Sequence, residues 1–534
     1  MLRLPDGRLL VAAKARSVTR LAAFSRSFGL SANILLSAPR VFTRYVVDVA
    51  GAALADYVQS GPAAIDPDLS AGSGAPARYG AQVLVLCSVI ALIAAAYEPL
   101  LLDLAFAALF IAITALRLVA LTALVEEPKS ERIPDDQLPI YTLLIPLYRE
   151  SRCLGGLLRA LRALDYPEAK LDIKLLVEHG DAETRAALAV LDAPSNFETI
   201  VVPQGSPRTK PRALNLGLAA ARGAIIGVFD AEDRPEPGQL RDAVQAFLRG
   251  GPQLACVQAR LVIDNRADSW ITRVFALEYA GLFDALLPGL SRCGLMFPLG
   301  GTSNHFRTAV LDRVGGWDAW NLTEDADLGV RLARFGYRCA TISSSTLEEA
   351  PNTHRAWLRQ RTRWLMGYVV TWIVHMRRPV RLHRELGWRN ALVFHAFIGG
   401  VPISALMLPI FVGGLIVDGL SSGWLVFDDW VGWLELALTG TNLVLGFGTA
   451  MAIAAIGADR RNLTGQARWI ALVPLYWLMS SVAAWRAVWR LIRAPHVWEK
   501  TEHGLARTSA SAAGPGFRRS APGPSRPRRA RGRG

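Results

Sequence analysis

The residues able to do chemistry in this chain gather in a few short stretches, and most of them are acids. Asp230-Ala231-Glu232-Asp233 follows the apolar run Ala224–Phe229. Carboxylates two and three residues apart at a strand end can hold a hard divalent cation through oxygen, leaving positions open for water and phosphate. Such a cation neutralises a diphosphate leaving group. Glu232 and Asp233 compete for the ligand role beside Asp230. Glu178 and Asp181 close a second apolar run, Ile173–Val177. Thr323-Glu324-Asp325 stands where a helical pattern begins, with Thr323 placed to cap it. Asp325 is then either an acid that complements the helix dipole or a general base for a hydroxyl nucleophile, its pKa raised by the carboxylate beside it.

Cations and an indole accompany these acids. Lys210 opens Lys210-Pro211-Arg212-Ala213-Leu214-Asn215, a helix start where a cation and free backbone N–H groups suit phosphate or a sugar hydroxyl. Gln360, Arg363 and Trp364 share one helical face at i, i+3, i+4. An arginine forks onto phosphate oxygens, and an indole stacks on the C–H face of a pyranose. The same pair would also anchor a helix at a membrane surface. Gly300-Gly301-Thr302-Ser303-Asn304 is a turn loop rich in small hydroxyls and suits an acceptor site, while His305 beside it reads as structural. A carboxylate followed by a cationic aromatic cluster fits a phosphate leaving group and a hydroxyl nucleophile.

The elements that must position these groups alternate. From Glu126 to about Asn390, apolar strand-like runs (Ile140–Pro146, Ile173–Val177, Thr199–Val202, Ala224–Phe229) are separated by helical patterns. That order implies an α/β fold with a Rossmann-like, mostly parallel sheet, whose ligands bind beyond the carboxyl ends of the strands. The acids lie at those ends. Outside this region the chain is apolar. Ala81–Tyr97 and Leu100–Val125, joined at Glu98-Pro99, read as a transmembrane hairpin within residues 80–125. Asp103 and Arg117 in its second arm should face a partner helix or a polar path, or else Arg117 snorkels near the helix end. Ala391–Val417 and Val431–Ala458 are long enough to span, and Trp469–Ile492 reads as re-entrant or interfacial.

In all, 534 residues with 51 % apolar side chains predict an α/β cytosolic domain over 126–385 inserted between transmembrane helices, the later set over 386–495. The net charge of +14 sits in the N-terminal arm (1–79, with a linker from Gln59 to Gly80) and in a basic, disordered tail (496–534). Charge beside apolar spans points to anionic membrane lipid, not nucleic acid, and to a multi-pass inner-membrane protein with its soluble domain in the cytoplasm. The five cysteines have no metal-ligand spacing and should stay reduced. The sequons at Asn321 and Asn462 fall on cytoplasmic segments and are accidental.

Taken as an ordered set, Pro146–Glu150, Glu178/Asp181, Asp230/Glu232/Asp233, Thr323-Glu324-Asp325 and Gln360-x-x-Arg363-Trp364 resemble the processive, cellulose synthase-like family 2 glycosyltransferases. Within them the details are nearest to the bacterial mixed-linkage β-glucan synthase and phage-adsorption-protein subgroup. The resemblance implies a GT-A-type domain and inverting transfer of a sugar from a UDP-sugar, UDP-glucose first, to a growing β-glycan that is exported. Asp325 would be the base. Mg2+ or Mn2+ would sit on Asp230 with Glu232 or Asp233. Pro146, Tyr148, Glu150, Glu178, Asp181 and Lys210 would meet the nucleotide sugar. Gly301, Thr302, Ser303, Glu324, Gln360, Arg363 and Trp364 would meet acceptor and diphosphate. Cyclic di-GMP on the basic tail and a periplasmic export partner are further partners the resemblance brings with it. A transferase acting once on a lipid carrier is the alternative, and a non-catalytic component of a surface-polysaccharide system a third.

Overall fold

The structure, a computed structural model, describes residues 53–73, 99–124, 132–190, 194–421 and 430–493, with a few short pieces elsewhere. The expected first span (81–97), most of the N-terminal arm and almost all of the basic tail lie outside the described residues.

Eight strands form the central sheet: β1 (Tyr141–Leu147), β2 (Leu171–Glu178), β3 (Phe197–Val202), β4 (Ile225–Val228), β5 (Arg234–Pro235), β6 (Leu254–Ile263), β7 (Asn304–Arg307) and β8 (Arg338–Glu348). Their order is β3-β2-β1-β4-β7-β6-β8-β5. All are parallel except β7, antiparallel to both neighbours, and the two-residue edge strand β5. This is the mostly parallel α/β sheet that the alternation of strands and helices implied. Strands β1 and β2 are covered on both faces, which is why they read as continuous apolar runs. The two charges inside β2 are matched: Asp172 lies 3.2 Å from Lys174 and 2.7 Å from Arg222.

The parallel strands β1, β2 and β4 end at one edge of the sheet. Because β7 runs the other way, with Asn304 opposite Val228, the loop Gly300–Ser303 enters at that same edge. Helix α1 (Pro99–Thr122) precedes the sheet; α2 (Leu154–Arg162), α3 (Ala182–Ala189), α4 (Lys210–Ala219) and α5 (Gln239–Gly250) connect its first strands. Helix α6 (Trp270–Gly281) runs through a π-turn (Leu282–Leu286) to Arg292. Helices α7 (Thr308–Val314) and α8 (Glu324–Arg334) precede β8, and α9 (His354–His375) follows it.

Four more helices complete the described chain: α10 (Pro379–Val393), α11 (Gly400–Ser421), α12 (Trp430–Arg460) and α13 (Val473–Arg493). Among the described residues, four stretches are long and apolar enough to cross a membrane: Trp270–Arg292, Pro379–Ile410, Gly440–Arg460 and Arg468–Arg493. The first is 83 % buried inside the protein and packs on β6 and α12. A Cβ at Gly457 would lie 2.2 Å from the Ala280 carbonyl oxygen, so the α6–α12 contact is backbone on backbone. Arg461 and Arg260 both pair with the buried Asp284 beside it.

One expectation narrows here and one changes. The stretch Trp469–Ile492 does not fold back on itself: after a 3-10 turn it forms one helix of 21 residues, α13, which leaves the interfacial reading of it standing. Pro474 does not interrupt it because it sits in the first turn, where a missing N–H costs nothing. The Gly- and Pro-rich segment expected as a linker from Gln59 is ordered through Ser73, with a helix (Gly61–Ile65) and a 3-10 turn (Pro67–Leu69) laid on the domain. Its glycines serve close approach: a Cβ on Gly61 would meet the Gly315 carbonyl oxygen at 2.3 Å.

Candidate active site

A cavity of about 630 Å3 opens at the sheet edge where β1, β2 and β4 end. Pro146, Tyr148, Glu150, Glu178, Lys210, Asp230, Glu232, Gly301, Thr302, Glu324, Asp325, Gln360, Arg363 and Trp364 all line it. Residues from seven separate segments are thus brought to one space.

Three expected site residues are not on its wall, and each has internal work. Asp181 caps α3 by accepting from Thr184 N–H at 3.1 Å, and its other oxygen accepts from Arg149 N–H. It holds the Tyr148–Glu150 loop, in which Arg149 takes a left-handed φ of 56°, and does not reach the cavity. Ser303 is buried and donates to Thr346 Oγ1 at 2.7 Å. Asp233 points inward: its Oδ2 accepts from Asp230 N–H at 2.6 Å and from the Thr302 hydroxyl, and its Oδ1 is buried without a partner. Burial, then the neighbouring Asp230 and Glu232 charges, push the Asp233 carboxyl well above the usual range. Asp233 therefore shapes the loop, and Asp230 and Glu232 are the carboxylates of this motif that line the cavity.

Lys210 at the start of α4 bridges the site. Its Nζ lies 2.5 Å from Asp230 Oδ1 and donates to the Gly301 carbonyl at 2.7 Å. Burial opposes its charge, but the Asp230 and Glu324 carboxylates outweigh that and hold the ammonium charged above its ordinary range. Gly301 has its Cα toward the acids: an added Cβ would stand 3.3 Å from Asp325 Oδ2.

Glu324 and Asp325 open α8. Thr323, expected as the cap, makes no capping bond; its side chain lies instead against α9, where a Cβ on Gly367 would come within 2.4 Å of it. Asp325 accepts from Ala326 N–H at 2.7 Å. Burial and then the Asp325 charge push Glu324 up to about 8. Burial also raises Asp325, opposed by that N–H and by Lys210. Lys210 pulls both carboxyls down, while the Ala326 N–H acts on Asp325 alone.

The helix carrying these acids is held by a buried relay. Arg334 donates to His375 Nδ1 at 2.8 Å, which leaves the Nε2 proton to bond Asp327 Oδ1 at 3.1 Å. Arg331 donates to Asp327 Oδ2 at 2.7 Å and to the carbonyls of Val314 and Gly316 at 2.8 Å. Asp327 and His375 thereby tie α8 to α9.

On α9, Gln360, Arg363 and Trp364 face the cavity as their spacing implied. Arg361 between them is a residue whose part was not legible. It makes a forked pair with Glu278 at 2.6 and 3.0 Å, donates to the Tyr476 hydroxyl at 2.7 Å, and stacks 4.8 Å above the Trp364 ring. Tyr476 of α13 donates to the same Glu278 at 2.9 Å. Tyr368, one turn beyond Trp364, also lines the cavity. Only their place on the helix with Trp364 could have flagged Arg361 and Tyr368.

The residues fit a divalent cation in donor chemistry. Asp230 and Glu232 supply hard oxygen, and the cavity holds more carboxylates than cations while its ligand would be an anionic phosphate. No group of three or more acids, histidines or cysteines gathers as a ligand set among the described residues, so phosphate oxygens would complete the shell.

The cavity does not stop at the sheet. It continues between α1, α11, α12 and α13, past Phe110, Thr114, Val401, Ser404, Leu408, Asn442, Phe447 and Trp477. Arg117 faces this end, donating to the Gly446 carbonyl at 3.1 Å with its guanidinium 6.0 Å from the Trp477 ring. That is the partner-helix placement expected for it. Asp103 lies in α1, but its side chain falls outside what is described.

Comparison with known proteins places this architecture. Residues 225–491 match Glycosyl transferase family group 2. A probable glycosyltransferase of Bacillus subtilis, YdaM, is 26 % identical over 383 residues, covering 68 % of this chain and 87 % of that protein. The β-monoglucosyldiacylglycerol synthase of Synechocystis is 27 % identical over 49 % of this chain and 54 % of its own length. The probable glucomannan 4-β-mannosyltransferase 7 of Oryza sativa is 29 % identical over 43 % of this chain and 40 % of its own. The chain thus spans about half the length of these last two. Among solved structures, a mannosyltransferase from Pyrobaculum calidifontis in complex with GDP-Man and Mn2+ superposes with a TM-score of 0.46 at 19 % identity, over 73 % of this chain and 99 % of that one.

Proposed function

This chain belongs to Glycosyl transferase family group 2, and from that premise we propose that it moves a hexose, glucose first, from a UDP-sugar to a growing β-glycan with inversion at the anomeric carbon. The chain is a glycosyltransferase; donor, acceptor and export are what is proposed. The observation that carries it is the single cavity, which joins the acids at the strand ends to a lumen between helices able to cross a membrane.

In the reaction Asp325 takes the proton from an acceptor hydroxyl as its oxygen attacks the anomeric carbon. The bond from that carbon to the diphosphate oxygen breaks, and the diphosphate leaves with the electron pair. Lys210 and Arg363 meet the charge that develops on it. Asp230 and Glu232 would hold Mg2+ or Mn2+, which supplies Lewis-acid neutralisation of the same diphosphate. Glu324, protonated at neutral pH, adds no second negative charge beside the leaving group. Trp364, its other side backed by Arg361, offers a flat face to the acceptor sugar. Glu178 and Tyr148 stand at the far end for the nucleoside.

A second reading has its own observation. The membrane end of the cavity is walled largely by apolar side chains, with one cation, Arg117, among them. An amphiphilic acceptor with a lipid tail fits such walls, and one relative is by name a glucosyldiacylglycerol synthase.

The test is turnover of labelled UDP-glucose with Mg2+ or Mn2+ in membrane vesicles, wild type beside Asp325→Asn, followed by sizing of the product. High-molecular-weight glycan from wild type alone is the expected result. A short, lipid-extractable product selects the second reading. Relatives named for mannosyl transfer make GDP-mannose the next donor to supply. Absence of transfer from any nucleotide sugar would overturn both.

A further inference from the structure

The segment that precedes α1, residues 53–73, is bound to the loop that leads into Thr323-Glu324-Asp325. Its contacts converge on Asp318, a fully buried carboxylate. Ser70 Oγ donates to Asp318 Oδ1 at 2.9 Å and Ala71 N–H to Oδ2 at 2.6 Å. The loop's own Trp320 N–H donates to Oδ1 at 3.2 Å. Above and below this point the fit is tight. Gly61 lies backbone to backbone with Gly315, and a Cβ on Gly72 would strike the Trp320 ring at 2.2 Å. Asn215 of α4 joins the two by donating to the Val58 and Trp317 carbonyls at 3.1 and 2.7 Å.

The far side of the segment is fastened as well. Arg377 donates to the Ser70 carbonyl at 2.8 Å, Arg378 pairs with Asp68 at 2.5 Å, and Arg381 pairs with Asp66. These arginines follow directly on α9, which carries Gln360, Arg363 and Trp364. The segment therefore spans from the loop in front of one half of the site to the end of the helix bearing the other half.

From Asp318 the path to the acids is short and continuous. Asn321 N–H donates to the Asp318 carbonyl at 3.2 Å. The Asn321 side chain donates to Thr371 of α9 at 2.9 Å and accepts from Thr323 N–H at 3.1 Å. Ala319 O accepts from Thr209 Oγ1 at 2.8 Å, next to Lys210. Three turns of loop thus reference Glu324 and Asp325 to the segment, to α4 and to α9 at once.

Resting on the transfer reaction proposed above, we propose that residues 53–73 form a strap that sets the position of Asp325, and that Asp318, gripped by Ser70 and Ala71, is the positioning residue through which it acts. Neither Asp318 nor Ser70 lines the cavity. A misplacement of about 1 Å at a reacting group costs on the order of a hundredfold in rate, whereas the strap meets α4 at Asn215 and the chain beyond α9, away from the side chains of Asp230, Lys210 and Glu178. Loss of the grip should therefore lower kcat and leave the donor KM alone.

The experiment uses the full chain in vesicles and compares wild type, Ser70→Ala, Ser70→Thr and Asp318→Asn. Hydrogen–deuterium exchange of the peptide covering residues 317–327 is measured on the same samples. Ser70→Ala and Asp318→Asn are expected to lower kcat about tenfold or more with KM for the nucleotide sugar within about twofold, and to raise exchange in that peptide. Ser70→Thr keeps the hydroxyl and is expected to restore both. Wild-type exchange in Ser70→Ala and Asp318→Asn overturns the strap whatever the activity. Raised exchange with unchanged kcat overturns its action on Asp325. If wild type transfers no sugar, the reaction fails and the exchange result still decides whether the strap orders the loop.

Discussion

Two carboxyls side by side, buried Glu324 and half-buried Asp325, decide how the site responds to pH. Glu324 titrates at about 8 because burial and then the Asp325 charge oppose its ionisation. Below that pH it is neutral. Above it a negative charge appears on Glu324 beside the anionic donor. The rate should therefore fall above about pH 8, and Glu324→Gln should remove that alkaline limb while keeping the plateau within severalfold; a kcat/KM profile from pH 5 to 10 checks it. The stability sign agrees. A carboxyl whose folded pKa is raised is favoured in the folded state below its unfolded value of 4.5 and penalised as pH rises through about 8. Glu324→Gln should gain in melting temperature relative to wild type at pH 9 and not at pH 4. Asp233 offers a contrast at the same scale. Burial pushes its carboxyl well above the usual carboxylate range, and its Oδ2 is turned inward by the Asp230 N–H and the Thr302 hydroxyl. Asp233→Asn should keep most activity and Mn2+ dependence, whereas Glu232→Gln should raise the Mn2+ concentration needed for half-maximal rate by about tenfold or more, as loss of a ligand does.

At the scale of elements the critical contact is α8 on α9. Gly367 lets the Thr323 side chain lie against the helix, with 2.4 Å between Thr323 and the place a Cβ would take. Gly367→Ala must move the acids away from Arg363 and Trp364. Overpacking of this kind costs about 1–3 kcal/mol of stability, but the larger expected effect is a fall in kcat of about tenfold or more with donor binding retained. Isothermal titration with UDP and Mn2+, set beside turnover, separates the two. That contact could not be read from the chain, because a glycine inside a helical pattern gives no hint of what faces it. Strands β1, β2 and β4 were legible because burial on both faces makes them continuous apolar runs. Strand β8 was not: Arg338–Glu348 is mostly polar or small, and it is a strand because β6 pairs with it along its length. The acids at Asp230, Glu232 and Asp325 were legible by type and spacing. Which of Glu232 and Asp233 faces a ligand was not, since that depends on Thr302 arriving from a distant strand to hold Asp233 inward. Asp181 misled for a related reason: a carboxylate at a strand end also caps the next helix.

At the scale of the whole molecule the chain builds one space from two environments. The sheet edge supplies acids and cations, and the helices α1, α11, α12 and α13 supply a lumen continuous with it. The two halves are fixed to each other by backbone contact at Gly457 and by Asp284 between Arg260 and Arg461, so the lumen cannot swing clear of the acids without breaking a buried ion cluster. If the product or acceptor passes through that lumen, filling it should act on transfer and spare the donor. Ala450 and Ser404 both line the membrane end, far in sequence from every acid of the site. Ala450→Trp and Ser404→Trp place an indole in the lumen and leave Asp230, Glu232, Lys210 and Asp325 untouched. The expected outcome is UDP binding with Mn2+ at wild-type affinity, release of UDP by slow transfer to water, and product that is absent or much shortened. A growing glycan would give a ladder of short chains, because early transfers need little of the lumen. A lipid acceptor would give no product at all, because its tail must enter before the first transfer. Full-length product from both variants would show that the acceptor reaches Asp325 by another route, and the continuity of the cavity would then have no part in the reaction.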